Sequence, residues 1–74
     1  MLITHEMELR ALMGRHVELI EPNGSVALAG LLVRLFDAGR TFWRVSHFAQ
    51  AVRFELSDVA DIAGTVIELR RAGR

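Results

Sequence analysis

Alternation of apolar and polar residues predicts most of the secondary structure in this chain. In "RHVELIE", Val17 and Leu19 point one way while His16 and Glu18 point the other, which is typical of a half-exposed strand. "AVRFEL" alternates clearly, "RTFWRVSH" alternates loosely, and "TVIELR" forms a last strand. The predicted strands cover about residues 15–21, 26–36, 40–47, 51–56 and 65–71.

The second predicted strand is apolar on both of its faces, unlike the others. Only Gly30 and Arg34 interrupt the apolar residues between 26 and 36. A glycine inside a long strand indicates a bend or bulge, and a bent strand serves two sheets of a small barrel by burying different faces in its two halves. We therefore expect part of this strand to face the core and part to face the helix or a neighbouring subunit.

Turn residues separate these strands at short intervals. "PNGS" (22–25) and "DAG" (37–39) supply residues that tolerate turn dihedrals, so two hairpins are predicted. "SDVADIAG" (57–64) is too short for a full helix and is predicted as a single turn capped by Ser57 and Asp58. The tail at residues 70–74 is basic, and we expect it to be frayed.

The N-terminal segment "ITHEMELRALMG" predicts a short helix over about residues 4–13. Thr4 is a plausible N-cap, Glu6 and Glu8 suit the first turn, and Gly14 is a natural stop. Leu9, Leu12 and Met13 share a face at helical spacing, and that face is expected to cap the end of a barrel.

The fold class that follows is mainly β: one domain over residues 1–74, in which a short helix precedes a five-stranded, strongly bent antiparallel small barrel. The expected core residues are Leu28, Leu31, Val33, Val52, Phe54 and Ile67. A charge at Gly30 or Leu31 is expected to unfold the barrel.

Composition narrows the class of protein. The chain has 74 residues, is 51% hydrophobic and 24% charged, and contains no cysteine, so it fits one globular domain in a reducing, cytoplasmic compartment. Its longest apolar run is far short of a membrane span, so no membrane partner is expected. The formal net charge is zero, so nucleic-acid binding would need a local patch or a site repeated in an oligomer.

All nine basic residues are arginine, for which two explanations stay open. One is codon bias in a GC-rich genome, and the other is selection for side chains that bind phosphate with a planar fork.

Residues 9–37 resemble the first motif of the Sm and Sm-like proteins, which include the bacterial riboregulator Hfq. The matching features are the helix ending at Gly14, the strand around Val17, the turn at Asn23 and Gly24, the central Gly30, and Asp37 at the strand end. The resemblance implies a bent five-stranded sheet, a homo-oligomeric ring formed by pairing of the fourth and fifth strands of neighbours, and RNA binding near Asp37. The loop Asn and the second-motif Arg of the family have no counterparts at residues 38–40 and at Ala63.

Candidate nucleic-acid contacts are Asp37, Arg40, Phe42, Arg44 and Arg53. Single-stranded binders combine arginine contacts to phosphate with aromatic stacking. Phe42 and the adjacent Trp43 must face opposite ways on a strand, so either one of them stacks on a base or both pack in the core or an interface.

No catalytic or metal chemistry is predicted. His5, His16 and His47 lack ligand spacing, so surface or partly buried histidines are expected and no cofactor is predicted. Asp58 and Asp61 could bind a cation or place a general base, but Ser57 and Asp58 as caps of a helical turn are the simpler explanation.

Two functions remain open: a non-enzymatic Sm-like oligomer binding RNA or single-stranded DNA, and a protein-interaction or regulatory accessory protein, of phage or mobile-element type, that binds no nucleic acid.

Overall fold

The computed structural model describes residues 2–71, with side chains described from His5 onward, and this part of the chain contains one α-helix and one sheet. Residues 72–74 of the basic tail, predicted to be frayed, lie outside the described residues. The elements in order are α1 (Leu2–Leu12), β1 (His16–Ile20), β2 (Val26–Asp37), β3 (Arg40–His47), β4 (Gln50–Phe54), a single 3-10 turn (Leu56–Asp58), β5 (Val59–Ala63) and β6 (Val66–Leu69).

The sheet has six strands in the order β4-β3-β2-β1-β6-β5. All neighbouring pairs are antiparallel except β1 and β6, which are parallel. The mainly β class and the N-terminal helix are confirmed, but the sheet is mixed and open, since its edges β4 and β5 are not hydrogen-bonded to each other. The predicted five-stranded antiparallel barrel is therefore not what the described residues form.

The additional strand is β5, which lies where the sequence predicted only a turn. Its buried residues Val59 and Ile62 are three positions apart because the register shifts between Val59 and Asp61. A bulge of this kind interrupts the period of two, so the alternation that marks a strand is missing. β6 consequently lies between β1 and β5, and the predicted strand at 65–71 has no free edge through which a ring could close.

The two apolar faces of β2 have different environments. Leu28, Gly30 and Leu32 point to the core, whereas Leu31 points to the opposite face and is 46% exposed. We call the side of the sheet that carries Leu31 the outer face. The prediction that Leu31 is a core residue is wrong, because the strand keeps its alternation while both faces are apolar. The reason given for expecting a charge at Leu31 to unfold the protein, a dry interior around it, is therefore absent.

Gly30 is needed because β2 and β3 come very close together. A Cβ at this position would lie 2.0 Å from the carbonyl oxygen of Ser46. Side chains normally project away from the sheet, so a Cβ directed at neighbouring backbone means that β2 is strongly coiled at Gly30. The predicted bulge is not present at Gly30, because its pairing with Val17 continues the β1–β2 register without a shift. What distinguishes Gly30 is its close approach to the backbone of Ser46.

The helix begins two residues earlier than predicted. Because α1 starts at Leu2, Thr4 lies inside it and is not the N-cap, and the acidic residues fall outside the first turn; the side chain of Thr4 is not among those described. The stop at Gly14 is confirmed by its positive φ of 78°. Leu9 and Leu12 are buried and α1 packs against β5 and the 3-10 turn, but Met13 is 41% exposed.

The core lies between α1 and the inner face of the sheet. Among the predicted core residues, Leu28, Phe54 and Ile67 are buried, while Val33 and Val52 are only half-buried. Of the side chains described, those in the core are all hydrophobic. The buried residues are Leu9, Leu12, Val17, Leu19, Leu28, Leu32, Trp43, Val45, Phe54, Val59, Ile62, Ile67 and Leu69.

Candidate interaction site

The five residues singled out from the sequence lie together on the outer face of β2, β3 and β4. The β2–β3 register places Asp37 opposite Arg40, and the β3–β4 register places Arg44 opposite Arg53. Phe42 lies between Arg40 and Arg44 on β3. The alternation of each strand therefore directs all five side chains to one side of the sheet.

Two guanidinium groups flank the ring of Phe42. The guanidinium carbon of Arg53 is 4.3 Å from the ring centroid, and that of Arg40 is 5.5 Å away. Arg53 Nη1 lies 3.3 Å from Asp37 Oδ2, and Arg40 forms an ion pair with Glu55. We call Asp37, Arg40, Phe42, Arg53 and Glu55 the Arg–Phe cluster.

Both arginines of the Arg–Phe cluster are already paired with carboxylates. The side chains of Arg40 and Arg53 are 62% and 50% exposed, so solvent screens these ion pairs and their contribution to stability is small. The two ion pairs instead position the guanidinium groups against Phe42, so that an apolar ring and planar hydrogen-bond donors lie side by side on the surface. Arginine and aromatic residues are the side chains enriched at protein interfaces.

Arg44 differs from its two neighbours on this face. It is half-buried, its Nε is buried without a hydrogen-bond partner, and its cross-strand neighbour is another arginine, Arg53. None of the ion pairs in the described part of the chain includes Arg44. Among the described ion pairs, it is therefore the arginine of this face that no carboxylate neutralises.

Trp43 cannot take part in this face. It is 1% exposed and packs in the core, opposite to Phe42, as expected for adjacent residues of a strand. Phe42 is half-buried, and Arg53 covers its ring at short distance. Stacking of a base on Phe42 would have to displace that guanidinium.

The sequence reasoning missed one member of the cluster and one exposed aromatic residue. Glu55 could have been found, since it shares the outward positions of "AVRFEL" with Arg53. Phe48 lies in the turn between β3 and β4, is 95% exposed, and has a positive φ of 54°. A left-handed backbone is unusual for a bulky residue, and turns of this kind usually carry Gly, Asn or Asp.

The outer edge of β4 offers unpaired backbone groups. Phe48 and Ala49 form a two-residue turn, and His47 pairs with Gln50 on either side of it. Hydrogen-bonded and non-hydrogen-bonded pairs alternate in an antiparallel ladder, so Gln50, Val52 and Phe54 bond to β3. The N–H and C=O groups of Ala51 and Arg53 therefore point away from the sheet.

The His, Asp and Glu side chains of the described residues bear on metal binding and capping. They include no group of three or more that could hold a metal ion. Asp58 takes part in capping as predicted, because its carboxylate accepts a hydrogen bond from the N–H of Glu55 at 3.0 Å and it also pairs with Arg71. The prediction that Ser57 is a cap is wrong, since Glu55 is the N-cap and Ser57 lies inside the 3-10 turn. His16 and His47 are exposed and His5 is half-buried, as expected.

An open groove of about 280 Å³ lies at the end of β2 nearest the helix. Arg34 is the one charged side chain that lines it, and its guanidinium carbon is 5.4 Å from the ring of Phe36. The groove is lined by Met13, Gly14, Leu32, Val33, Arg34 and Phe36.

Among the residues described, no helix has the length and apolar character needed to cross a membrane.

No model of a known protein family matches this chain, and no curated protein or solved structure matches it either. The resemblance to Sm-like proteins therefore stays a prediction.

Proposed function

We propose that this protein is a non-enzymatic interaction module that works as a homo-oligomer. The observation that supports this proposal is the large amount of apolar side chain left at the surface of a 74-residue chain: Phe48 is 95% exposed, Phe36 71% and Met7 65%. Scattered exposed apolar residues are ordinary, but aromatic rings exposed to this extent are typical of contact surfaces.

Size and charge both favour association between copies. A domain of this length buries only about 60% of the surface that its unfolded chain exposes, so burial between subunits adds a substantial stabilising contribution. The formal net charge is zero, so no long-range repulsion keeps copies apart. The charges within the Arg–Phe cluster are paired with one another, so the cluster itself adds no net repulsion between copies.

The test is the absolute mass in solution, measured by light scattering after size-exclusion chromatography and by sedimentation equilibrium over a range of concentrations. We expect a mass of two or more chains that falls on dilution. A monomer at every concentration, at both low and high salt, contradicts the proposal.

A second candidate function is binding of RNA or single-stranded DNA on the outer face. It is favoured by the three arginines Arg40, Arg44 and Arg53 around Phe42, with Arg44 outside the described ion pairs. An oligomer would repeat this site and strengthen weak individual contacts through multivalency. A protein-interaction module without nucleic-acid binding is the alternative.

Fluorescence anisotropy with labelled oligonucleotides at low salt separates these two alternatives. If phosphates are bound, the logarithm of the binding constant falls linearly with the logarithm of the salt concentration, with a slope of about −0.7 per phosphate contact for single strands. Arg44→Gln should make that slope less steep, because one phosphate contact is lost. Arg71→Gln, at a residue outside β2, β3 and β4, is the matched control and should leave the slope unchanged. No binding at low salt removes the nucleic-acid candidate and leaves the interaction module.

A further inference from the structure

We infer that two copies of this chain associate edge to edge through β4, antiparallel about a two-fold axis at Val52. This inference rests on the proposed self-association and names its interface. The β4 edge is regular: the five β3–β4 pairs from Trp43 and Phe54 to His47 and Gln50 follow one another without a register shift.

The other edge of the sheet is less suited to pairing. β5 contains the register shift between Val59 and Asp61, and it packs against α1. Bulges and covering helices are two devices by which proteins blunt an edge strand. The chain thus protects β5 and leaves β4 open.

The unpaired backbone groups on β4 fix the register of the dimer. Ala51 and Arg53 direct their N–H and C=O groups outward, because the alternate residues Gln50, Val52 and Phe54 bond to β3. An axis at Val52 aligns Ala51 of each copy with Arg53 of the other, so both pairs exchange two hydrogen bonds. An axis at Ala51 would align Arg53 with the turn residue Ala49, and an axis at Arg53 would place two arginines directly opposite each other.

The side chains are compatible with this register. On the outer face the long Arg53 lies opposite the small Ala51 of the second copy, so no like charges are directly opposite each other. The two Arg53 side chains are diagonal neighbours, and each is paired with Asp37 of its own chain. On the inner side the two Val52 side chains meet in a non-hydrogen-bonded pair, in which side chains approach most closely. Val52 is half-buried in one chain, so the pairing completes its burial.

The same register gives the exposed Phe48 an apolar neighbour. Counted onward by sequence number, it brings Phe48 of one copy to the level of Leu56 of the second copy, a half-buried residue of the 3-10 turn at the edge of the core. This accounts for an aromatic ring that is 95% exposed on a residue held at positive φ. Under the two-fold symmetry, each Phe48 lies at the interface with the other copy. No Phe48 remains exposed to recruit a third chain, so the assembly closes at two subunits.

The interface is short, so we expect a dimer that dissociates on dilution. Sedimentation equilibrium of the full chain, with unfolding curves recorded for every variant, measures its dissociation constant. Ala51→Pro removes one outward N–H from each copy and should raise the dissociation constant about tenfold or more. Phe48→Ser should also raise it, because it removes the apolar contact with Leu56.

Charge variants at Ala51 test the register independently of stability. Ala51→Arg places like charges opposite Arg53 twice per dimer and should raise the dissociation constant about tenfold, whereas Ala51→Glu should lower it. Ala63→Arg, an exposed alanine on the other edge strand, is the matched control and should leave it unchanged.

The outcomes are distinguishable from those that test the proposed function. If the unmodified chain is a monomer, the proposed self-association and this interface both fail. If it is an oligomer that Ala51→Pro leaves intact, only the β4 interface is overturned. If Ala51→Arg and Ala51→Glu change the dissociation constant in the same direction, the register about Val52 is overturned.

Discussion

Replacing Gly30 by alanine tests the close approach of β2 and β3 that shapes the sheet. The added Cβ would lie 2.0 Å from the carbonyl oxygen and 2.6 Å from the carbonyl carbon of Ser46. Ordinary van der Waals contact begins at 3.4 Å, so the two strands have to separate by about 1.4 Å at this point. Flexible side chains cannot absorb this movement, because the atoms in the way belong to the backbone.

The separation affects hydrogen bonds directly. Counting alternate pairs from the two-residue turn at 38–39, Leu31 and Ser46 form a hydrogen-bonded pair, so the displaced carbonyl is the acceptor for Leu31 N–H. Loss of two such bonds costs about 1–3 kcal/mol, and repacking of the strands costs about 1–3 kcal/mol more. The lower entropy of the unfolded alanine chain offsets about 0.4–1 kcal/mol. These contributions sum to a loss of about 1–5 kcal/mol, and we expect Gly30→Ala to lower the free energy of unfolding by about 3 kcal/mol, near the middle of that range, out of a total of about 4–11 kcal/mol for this length.

Urea denaturation followed by Trp43 fluorescence measures this loss, because Trp43 is buried beside β2 and β4 in the folded chain. Gly24→Ala is the matched control: Gly24 has a positive φ of 89° and open space around it, so it reports backbone strain alone, about 1–2 kcal/mol. If Gly30→Ala is no more destabilising than Gly24→Ala, the close approach of the strands is refuted.

Two further perturbations test the strand faces and the cap. Leu32→Asp, at a fully buried position, should abolish folding, whereas Leu31→Asp on the outer face should change the free energy of unfolding by no more than about 1 kcal/mol; equal effects in circular dichroism melts would show that the faces are misassigned. Asp58→Ala removes the hydrogen bond to Glu55 N–H and should cost about 1 kcal/mol in urea denaturation, while Ser57→Ala, next to it, should cost almost nothing.

The elements that follow simple periodicity could be predicted from the sequence. Alternation around Val17, Phe54 and Ile67, and the turn residues between the strands, give five of the six strands close to their observed positions. β5 could not be found in this way, because its bulge separates Val59 and Ile62 by three residues. The core prediction for Leu31 failed for a different reason. An apolar side chain on a half-exposed strand face cannot be distinguished from a core side chain by residue type alone.

The grouping of the candidate site could also be predicted, but its chemistry could not. Asp37, Arg40 and Arg53 share a face because strands alternate, and that much follows from spacing. Whether a guanidinium is free or paired depends on the distance between strands and on side-chain conformation. Glu55 neutralises Arg40, and Asp37 neutralises Arg53, through contacts between residues about fifteen positions apart. The sequence suggested free phosphate-binding arginines, and the structure instead holds these two against Phe42.

The parallel pairing of β1 with β6 has a consequence for how the chain folds. Strands β1 to β4 are joined by short turns, so this meander can form from local contacts alone, whereas the pairing of Glu18 with Val66 closes a much longer loop. Until β6 arrives, β1 is itself an unprotected edge. A nascent or partly unfolded chain therefore exposes hydrogen-bonding groups in the middle of the future sheet, and substitutions that slow the docking of β6 should act first on aggregation during synthesis, before they change the stability of the finished fold.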